Sequence, residues 1–245
     1  MSKTKVTKKT VTTETTEVIN NAKNEKTEIV CILDRSGSMS SIISDAIGGF
    51  NTFIKEQKEE DTPATITVAL FDDQYELLYD DVDIKEVSEL TSKDWSPRGT
   101  TALFDAVGKT INTVKARHKS LDKKDRPDKV LVCIVTDGHE NASKEYNNES
   151  IKSLIEKREK KNWSFVFLAA DQDAMTAGGS FGVKGGNAFN YANTSSGNKQ
   201  MFAAMSQMSS NVRGMSVDSL DYADMSSNLA TSATKESNEK EEDKK

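Results

Sequence analysis

Residues 27–41 read TEIVCILDRSGSMSS, and the chain changes character in the middle of this stretch. The first seven residues are mostly apolar, which is typical of a buried strand. Asp34, Ser36 and Ser38 then follow at alternate positions, and Gly37 eases a tight turn between them. One such turn can aim all three side chains inward, so the pattern predicts a strand that ends in a cluster of oxygen ligands.

The rest of the chain alternates between strand and helix patterns. Strand patterns lie at 27–33, 64–71, 74–84, 128–137, 163–170 and 187–192, and helical patterns lie at 41–60, 101–119 and 147–162. This alternation predicts an α/β fold, a Rossmann-like three-layer α/β/α sandwich around a central, mostly parallel sheet. The short connection after residue 71 predicts a hairpin, and therefore one antiparallel edge strand.

Composition divides the chain into three parts. Residues 1–26 are rich in Thr, Lys, Asn and Glu, which predicts a disordered leader, and residues 216–245 form a low-complexity tail predicted to be largely disordered. Residues 27–215 then form one domain. Near its end, a stripe of apolar residues at helical spacing predicts a last helix packed on the sheet: Met201, Met205, Met208, Val212 and Met215.

The bulk properties exclude several classes of protein. The chain has 245 residues and a formal net charge of −6, which argues against a nucleic-acid partner held by phosphate neutralisation. The sequence shows no apolar segment of a secretory signal, and its longest apolar run, 130–135, is too short to span a bilayer. We therefore expect a cytoplasmic protein without a membrane partner. Cys31 and Cys133 lie inside apolar runs, which predicts buried free thiols.

Three loops carry the residues with chemical potential. In a mostly parallel sheet, ligands bind outside the carboxyl ends of the strands. The loop after residue 33 offers Asp34, Ser36 and Ser38, the loop after the fourth strand offers Asp137, and the loop before the second helix offers Thr100 and Thr101. Such hard oxygen ligands, without His or Cys, suit Mg²⁺ or Mn²⁺ rather than Zn²⁺. With few anionic ligands, the cation would keep net positive charge and an open position that favours an incoming carboxylate.

The same three loops resemble a known family. The segments DRSGSMS (34–40), GTTALFDA (99–106) and IVTDGHEN (134–141) are similar to the von Willebrand factor type A (VWA) domain with its metal-ion-dependent adhesion site (MIDAS), as found in bacterial and phage members inside cells. The resemblance spans about residues 27–192. It implies five metal-site residues, of which the serines and the threonine contact the ion and the aspartates act directly or through water: Asp34, Ser36, Ser38, Thr101 and Asp137.

The family pattern favours Thr101 over Thr100 as the threonine ligand, and both stay open as alternatives. The resemblance also implies that an acidic side chain of a partner protein completes the shell around the ion. The sequence therefore predicts a divalent-cation-dependent protein–protein interaction module rather than an enzyme, with an unidentified partner that supplies a Glu or Asp. Two alternatives are a VWA subunit that partners a ring-forming ATPase and a structural component of a phage assembly.

A metal-dependent hydrolase is the less favoured alternative. His139 and Glu140 begin a zinc-protease motif, but Ser143 stands where the second histidine is required. His118 lies in a basic run that we expect to be solvated at a helix end.

Several further residues have expected places around the site. Asp45 and Asp105 are expected on the surface or behind the metal site. The rim of the site, which would set specificity, is expected to include Arg35, Met39, Arg98 and His139.

Overall fold

The computed structural model describes residues 24–170 and 174–217, and most of the predicted leader and tail lies outside these residues. Six strands form one sheet in the order β3-β2-β1-β4-β5-β6. The strands are β1 (Thr27–Asp34), β2 (Ala64–Phe71), β3 (Tyr75–Asp83), β4 (Lys129–Thr136), β5 (Trp163–Ala170) and β6 (Ala188–Tyr191). The helices are α1 (Ile43–Glu59), α2 (Leu103–Ser120), α3 (Asn148–Glu159), α4 (Ala174–Ser180) and α5 (Ser195–Gly214).

Both faces of the sheet are covered, which confirms the predicted three-layer sandwich. Successive side chains of a strand point to opposite faces. On β1, Ile29, Cys31 and Leu33 pack into a core with α1 and α5, whereas Val30 and Ile32 pack into a second core with α2 and α3. Every residue of β1 is buried, as expected for a strand in the middle of a covered parallel sheet.

The order of the strands creates a switch point beside β1. The chain passes from β1 to β2 on one side and later returns to β4 on the other side, and β1 pairs with both in parallel. The connections leave β1 and β4 in opposite directions, so the carboxyl ends of these two strands open a crevice. Asp34 and Thr136 are the last residues of the two strands.

The predicted antiparallel edge strand is β3, which pairs with β2. The register shifts twice, between Ile66 and Val68 and between Val68 and Ala69. Asp81 lies opposite this irregular stretch and adopts a φ of 57°. The irregularity and the acidic side chains of β3 disfavour pairing of this edge with another strand.

The methionine stripe lies on α5 and packs against the sheet and α1. Met201, Met205, Met208 and Val212 are buried, but Met215 follows the end of the helix and is 38% exposed. The start of α5 is capped by Thr194, whose hydroxyl accepts a hydrogen bond from the Gly197 amide.

Both ends of the described structure meet below the amino edge of the sheet. Glu25 accepts hydrogen bonds from the Ser216 hydroxyl and the Val217 amide, and the buried Lys129 ammonium donates to the carbonyls of Arg213 and Met215. Defined contacts therefore extend slightly beyond residues 27–215. No helix among the described residues is long and apolar enough to cross a membrane.

The two cysteines are buried and not bonded to each other, although they face each other in register on β1 and β4. Burial raises the pKa of the Cys133 thiol to about 12 and raises that of Cys31 as well. Raised pKa values keep both thiols protonated and unreactive near neutral pH.

Arg213 should be the main anchor of the end of α5. Its guanidinium is fully buried and donates to the carbonyl of Gln57 at 2.6 Å and to the carbonyl of Thr62 at 2.6 Å. Arg213→Met would leave these buried carbonyls without donors, so we expect a loss of about 3 kcal/mol in the free energy of unfolding, measured by urea denaturation. Lys199→Met on the exposed side of the same helix is the control, with a change below about 0.5 kcal/mol. A loss as small as the control's would show that the apolar stripe alone holds α5.

Candidate metal site

Asp34 lies at the centre of the site, at the end of the central strand β1. Its carboxylate is completely buried, and one oxygen accepts the Ser36 amide at 2.6 Å while the other accepts the Thr136 hydroxyl at 2.6 Å. No ion pair within the described part of the chain involves Asp34. Burial raises the pKa of this carboxyl to about 6, against the lowering effect of its hydrogen bonds.

A chain of side-chain oxygens leads from Asp34 towards the surface. The hydroxyls of Ser36 and Ser38 lie 3.0 Å apart, and the Ser38 hydroxyl donates to Asp137 at 2.7 Å. Ser36 is buried, Asp137 is partly buried and Ser38 is exposed. The structure therefore brings four of the predicted ligands together in a cluster that is closed on the inside and open on the outside.

The fifth predicted ligand, Thr101, also lies at this cluster. A Cβ atom placed on Gly138 would be 3.0 Å from the Thr101 hydroxyl and 3.6 Å from the Ser38 hydroxyl, so both hydroxyls face the same small space. Thr101 is 3% exposed, whereas Thr100 is exposed to solvent. The geometry thus distinguishes between the two threonines that the sequence left open and places Thr101 at the cluster.

Backbone hydrogen bonds join the loops that carry these residues. The Gly37 amide donates to the Gly99 carbonyl at 3.2 Å, and the amide of Asn141 donates to the Thr101 carbonyl at 3.0 Å. Gly99 adopts a φ of 64°, and a side chain there would collide with the Asp73 carboxylate. A positive φ therefore requires a glycine at Gly99, in the loop before α2, whereas Gly37 in the turn after Asp34 does not adopt a positive φ.

Trp95 supports the site from below. Its indole nitrogen donates to the Asp34 carbonyl at 3.0 Å, and its ring packs edge-on against Phe50 of α1, with the ring centroids 6.3 Å apart. Trp95 is fully buried although it lies in a loop. This contact fixes the end of β1 against the core beneath the site.

Two expectations about the rim are wrong. Arg35 is 4% exposed and pairs with Asp72 and Glu76, and Met39 is fully buried in the core with α1. Met39 points inward because residues Gly37–Ser41 form a short 3₁₀ helix, whereas Arg35 directly follows β1, donates its amide to the Phe71 carbonyl and turns its side chain to the two acids. Arg98 and His139 are exposed, as the rim requires.

Glu140, which the sequence places in an incomplete zinc-protease motif, has a structural role. Its carboxylate accepts the amides of Ala142 and Ser143 and also the amide of Phe104 in the first turn of α2. This carboxylate therefore satisfies the Phe104 amide, which has no partner inside α2, together with two loop amides. Glu140 fixes the loop after β4 to α2.

Asp105 is buried rather than on the surface, which was one of its two expected places, and His118 departs from its expected surroundings. Asp105 is 8% exposed and accepts the amides of residues 144–146; although burial raises its pKa, these hydrogen bonds lower it overall. His118 is not solvated, because its ring contacts the buried Glu28 carboxylate at 2.6 Å and the edge of Trp163. The histidine lies at the amino edge of the sheet, the opposite edge from the site.

Sequence reasoning missed Thr136 and Asp72. Thr136 shares its hydroxyl between Asp34 and the Gly138 carbonyl. Asp72 is fully buried and pairs with Arg35 and Arg98. The position of Asp72 in the sequence could have indicated its place near the site, because it directly follows β2 just as Asp137 directly follows β4.

The residues present fit a hard divalent cation. Two carboxylates and three hydroxyls converge, and the buried Asp34 charge has a hydroxyl and an amide as partners but no cationic side chain. No group of three or more His, Cys, Asp and Glu side chains that could hold a metal occurs among residues 24–170 and 174–217. The hard carboxylate and hydroxyl oxygens suit an oxygen-bound divalent cation.

Comparison with solved structures shows that the chain has the VWA fold. Similar structures include von Willebrand factor type A from Catenulispora acidiphila (13% identity, 76% of this chain and 43% of that chain, TM-score 0.52). The ArnB paralog VWA2 from Sulfolobus acidocaldarius is 19% identical over 74% of this chain and 44% of that chain, with a TM-score of 0.50. Proximal thread matrix protein 1 from the mussel byssus, with a zinc-occupied MIDAS motif, is 14% identical over 78% of this chain and 47% of that chain, with a TM-score of 0.54.

The chain spans a little under half the length of each of these structures. Neither a protein-family model nor a curated protein sequence matches the chain. At this level of identity the structural likeness establishes the fold alone.

The buried charge of Asp34 should destabilise the metal-free protein. The folded pKa of about 6 lies above the ordinary value of 3.8, so the folded state loses stability as pH rises from about 4 to 6. The difference between the two pKa values corresponds to about 3 kcal/mol in the free energy of unfolding at neutral pH. Asp34→Asn should therefore raise the free energy of unfolding in EDTA by up to about 3 kcal/mol at pH 8 and by much less at pH 4.

Asparagine can keep the local hydrogen bonds in this variant, because its amide can donate to the Thr136 hydroxyl, which is also 3.1 Å from the Gly138 carbonyl. Urea denaturation at both pH values measures the effect. Asp45→Asn makes the same change at a partly exposed carboxylate, where we expect less than about 0.5 kcal/mol. A variant that is less stable than wild type at pH 8 would mean that the protein itself compensates the Asp34 charge.

Proposed function

We propose that this chain is a divalent-cation-dependent protein-interaction module. Mg²⁺, or Mn²⁺ in its place, would be held by the five residues of the cluster: Asp34, Ser36, Ser38, Thr101 and Asp137. The bound ion supplies an electrophilic centre that accepts a carboxylate oxygen. The partner is a protein that offers a Glu or Asp side chain, and no catalytic step is required for this role.

The Asp34 carboxylate is the observation that carries the proposal. A buried charge without a cationic partner is costly, and a bound cation would offset that cost. The cluster of oxygens extends from this carboxylate to the exposed Ser38, so an ion held between them would face solvent on one side. The open side gives a partner's carboxylate access.

The chain's own residues would control the geometry of binding. The amide of Ser36 and the hydroxyl of Thr136 each hold one oxygen of Asp34, which fixes the orientation of the carboxylate. Ser38 holds Asp137 through a hydrogen bond of 2.7 Å. Such preorganisation lowers the conformational entropy lost when an ion and a partner bind.

The surroundings of the site support a protein partner. The formal charge of −6 disfavours a nucleic acid or an anionic membrane surface as the partner. Exposed Arg98 lies three residues before Thr101, and exposed His139 lies two residues after Asp137, so both belong to the loops that carry the proposed ligands. The free thiols of Cys31 and Cys133 suit a reducing compartment such as the cytoplasm, in which we place the protein.

The two neighbouring threonines provide a matched test of metal binding. Thr101→Val keeps the shape of a buried side chain and removes its hydroxyl, whereas Thr100→Val makes the same change at an exposed position. We expect saturable binding of Mg²⁺ and Mn²⁺ by the wild type and by Thr100→Val, and a loss of at least about tenfold in affinity for Thr101→Val. Calorimetric titration of metal-free protein measures this effect.

A thermal unfolding series in EDTA separates a binding defect from a folding defect. Thr101→Val should unfold close to the wild-type temperature without metal but show a smaller stabilisation when Mg²⁺ is added. Equal metal affinity for both valine variants would remove Thr101 from the site. Absence of binding by the wild type up to the millimolar range, together with no stabilisation by Mg²⁺, would contradict the metal site itself.

The partner should depend on the ion. Affinity capture from a lysate in Mg²⁺ should recover a protein that is released by EDTA and is not recovered with Thr101→Val. Replacement of individual acidic residues of the recovered protein by their amides should identify one Glu or Asp whose loss abolishes binding. A partner that remains bound in EDTA and binds Thr101→Val equally would show that the interaction uses another surface.

A further inference from the structure

Asp72 joins the loops of the candidate site from behind. It directly follows β2, its side chain is fully buried, and one carboxylate oxygen lies 2.6 Å from the Arg98 Nε and 3.3 Å from the Arg35 Nε. The other oxygen accepts the Gln74 amide at 2.6 Å. A single buried carboxylate is thus hydrogen-bonded to the Arg98 guanidinium and ion-paired with that of Arg35.

The two arginines belong to different loops of the site. Arg35 directly follows Asp34, and Arg98 lies three residues before Thr101. The Arg98 amide donates to the Arg35 carbonyl at 2.8 Å, and the Ala102 amide donates to the Asp72 carbonyl at 2.9 Å. Asp72 therefore contacts the chain on both sides of the threonine and next to the first aspartate.

We infer that Asp72 is a positioning residue for the metal site, which acts through Arg35 and Arg98 to hold the Asp34 and Thr101 loops at a fixed separation. This inference rests on the proposed function. Asp72 is not one of the five proposed ligands, and its carboxylate is already occupied by the two arginines and the Gln74 amide. Its effect on an ion would come from the position of the loops.

The chemistry of the pairing suits this role. The Arg98 guanidinium is planar and always charged, so its hydrogen bond to the buried Asp72 carboxylate fixes both partners in direction as well as distance. The Arg35 Nε lies at ion-pair distance from the same carboxylate without a hydrogen bond to it, and adds electrostatic attraction. Arg35 also pairs with Glu76 of β3 at 2.5 Å, which ties the same group to the hairpin. Residues that orient metal ligands from behind typically change metal affinity by 10- to 100-fold when they are replaced.

Arg98 provides the decisive test because electrostatic repulsion and loop positioning predict opposite changes in Mg²⁺ affinity when this arginine is replaced. A cationic side chain near a metal site repels the ion, so simple electrostatics predicts that Arg98→Met binds Mg²⁺ more tightly. If Arg98 instead transmits the hold of Asp72 to the Thr101 loop, the same variant binds Mg²⁺ more weakly. The Arg98 side chain is 51% exposed, so we expect the variant to fold.

The experiment compares Mg²⁺ titrations of wild type, Arg98→Met, Asp72→Asn and Arg117→Met. Arg117 also pairs with a buried carboxylate, that of Glu28, but at the amino edge of the sheet, so Arg117→Met controls for the loss of an arginine pair. We expect about tenfold weaker binding for Arg98→Met and for Asp72→Asn, and unchanged binding for Arg117→Met. The double variant Arg98→Met with Asp72→Asn should bind Mg²⁺ no more weakly than Asp72→Asn alone, because both changes remove the same ion pair between Asp72 and Arg98.

A metal-free measurement completes the test. The Gly37 amide, which donates to the Gly99 carbonyl between the two loops, should exchange its hydrogen faster in Arg98→Met than in wild type in EDTA, and no faster in Arg117→Met. Unchanged or tighter Mg²⁺ binding by Arg98→Met would overturn the inference, and so would unchanged exchange. If the wild type binds no Mg²⁺, the proposed function fails, and the exchange rates alone then decide whether Asp72 holds the loops.

Discussion

The burial of one carboxylate, that of Asp34, is the constraint on which the rest of the site depends. The central strand β1 is covered on both faces, and its last residue therefore ends inside the molecule rather than at its surface. Among the residues that the structure describes, the carboxylate accepts the Ser36 amide and the Thr136 hydroxyl and has no cationic partner. The neighbouring loops supply further hydroxyls, and the resulting space is polar, small and open on one side. This arrangement follows from the switch in strand order beside β1, since only there do two loops leave the sheet in opposite directions.

Much of the fold and of the candidate site could be predicted from the sequence. Both depend on local residue patterns and on the rule that ligands bind at the carboxyl ends of parallel strands. Strands and helices were found from apolar periodicity, and the boundaries differ by a few residues at most, as between 41–60 and Ile43–Glu59. The convergence of Asp34, Ser36, Ser38, Asp137 and the pair Thr100 and Thr101 followed from their positions at strand ends and a helix start, whereas the choice of Thr101 came from the family resemblance. The short helix α4 was missed, because its glycine-rich sequence gives a weak helical pattern.

The errors concern side chains whose surroundings come from distant parts of the chain. Arg35 and His118 look like surface residues in the sequence, yet they meet acidic residues 41 and 90 positions away. Met39 is adjacent to exposed serines and still lies in the core, because the 3₁₀ turn rotates it inward. Whether such a side chain is buried depends on which distant residues the fold places next to it. The periodicity of one segment carries no information about those distant residues.

The other buried acids show why the Asp34 site differs from ordinary structural burial. Glu28 receives Arg117 and the hydroxyl of Thr67, and Asp72 receives two arginines. Asp105 receives three backbone amides, which lower its pKa. The same fold thus compensates buried carboxylates with arginines or with several backbone amides. Among the described residues, Asp34 has no arginine partner and accepts one backbone amide, that of Ser36, although Arg35 is the next residue along the chain. The guanidinium of Arg35 turns away to Asp72, and the space beside Asp34 is lined by hydroxyls instead. A structural carboxylate would gain from the nearby arginine, whereas a cation ligand has to remain free of it.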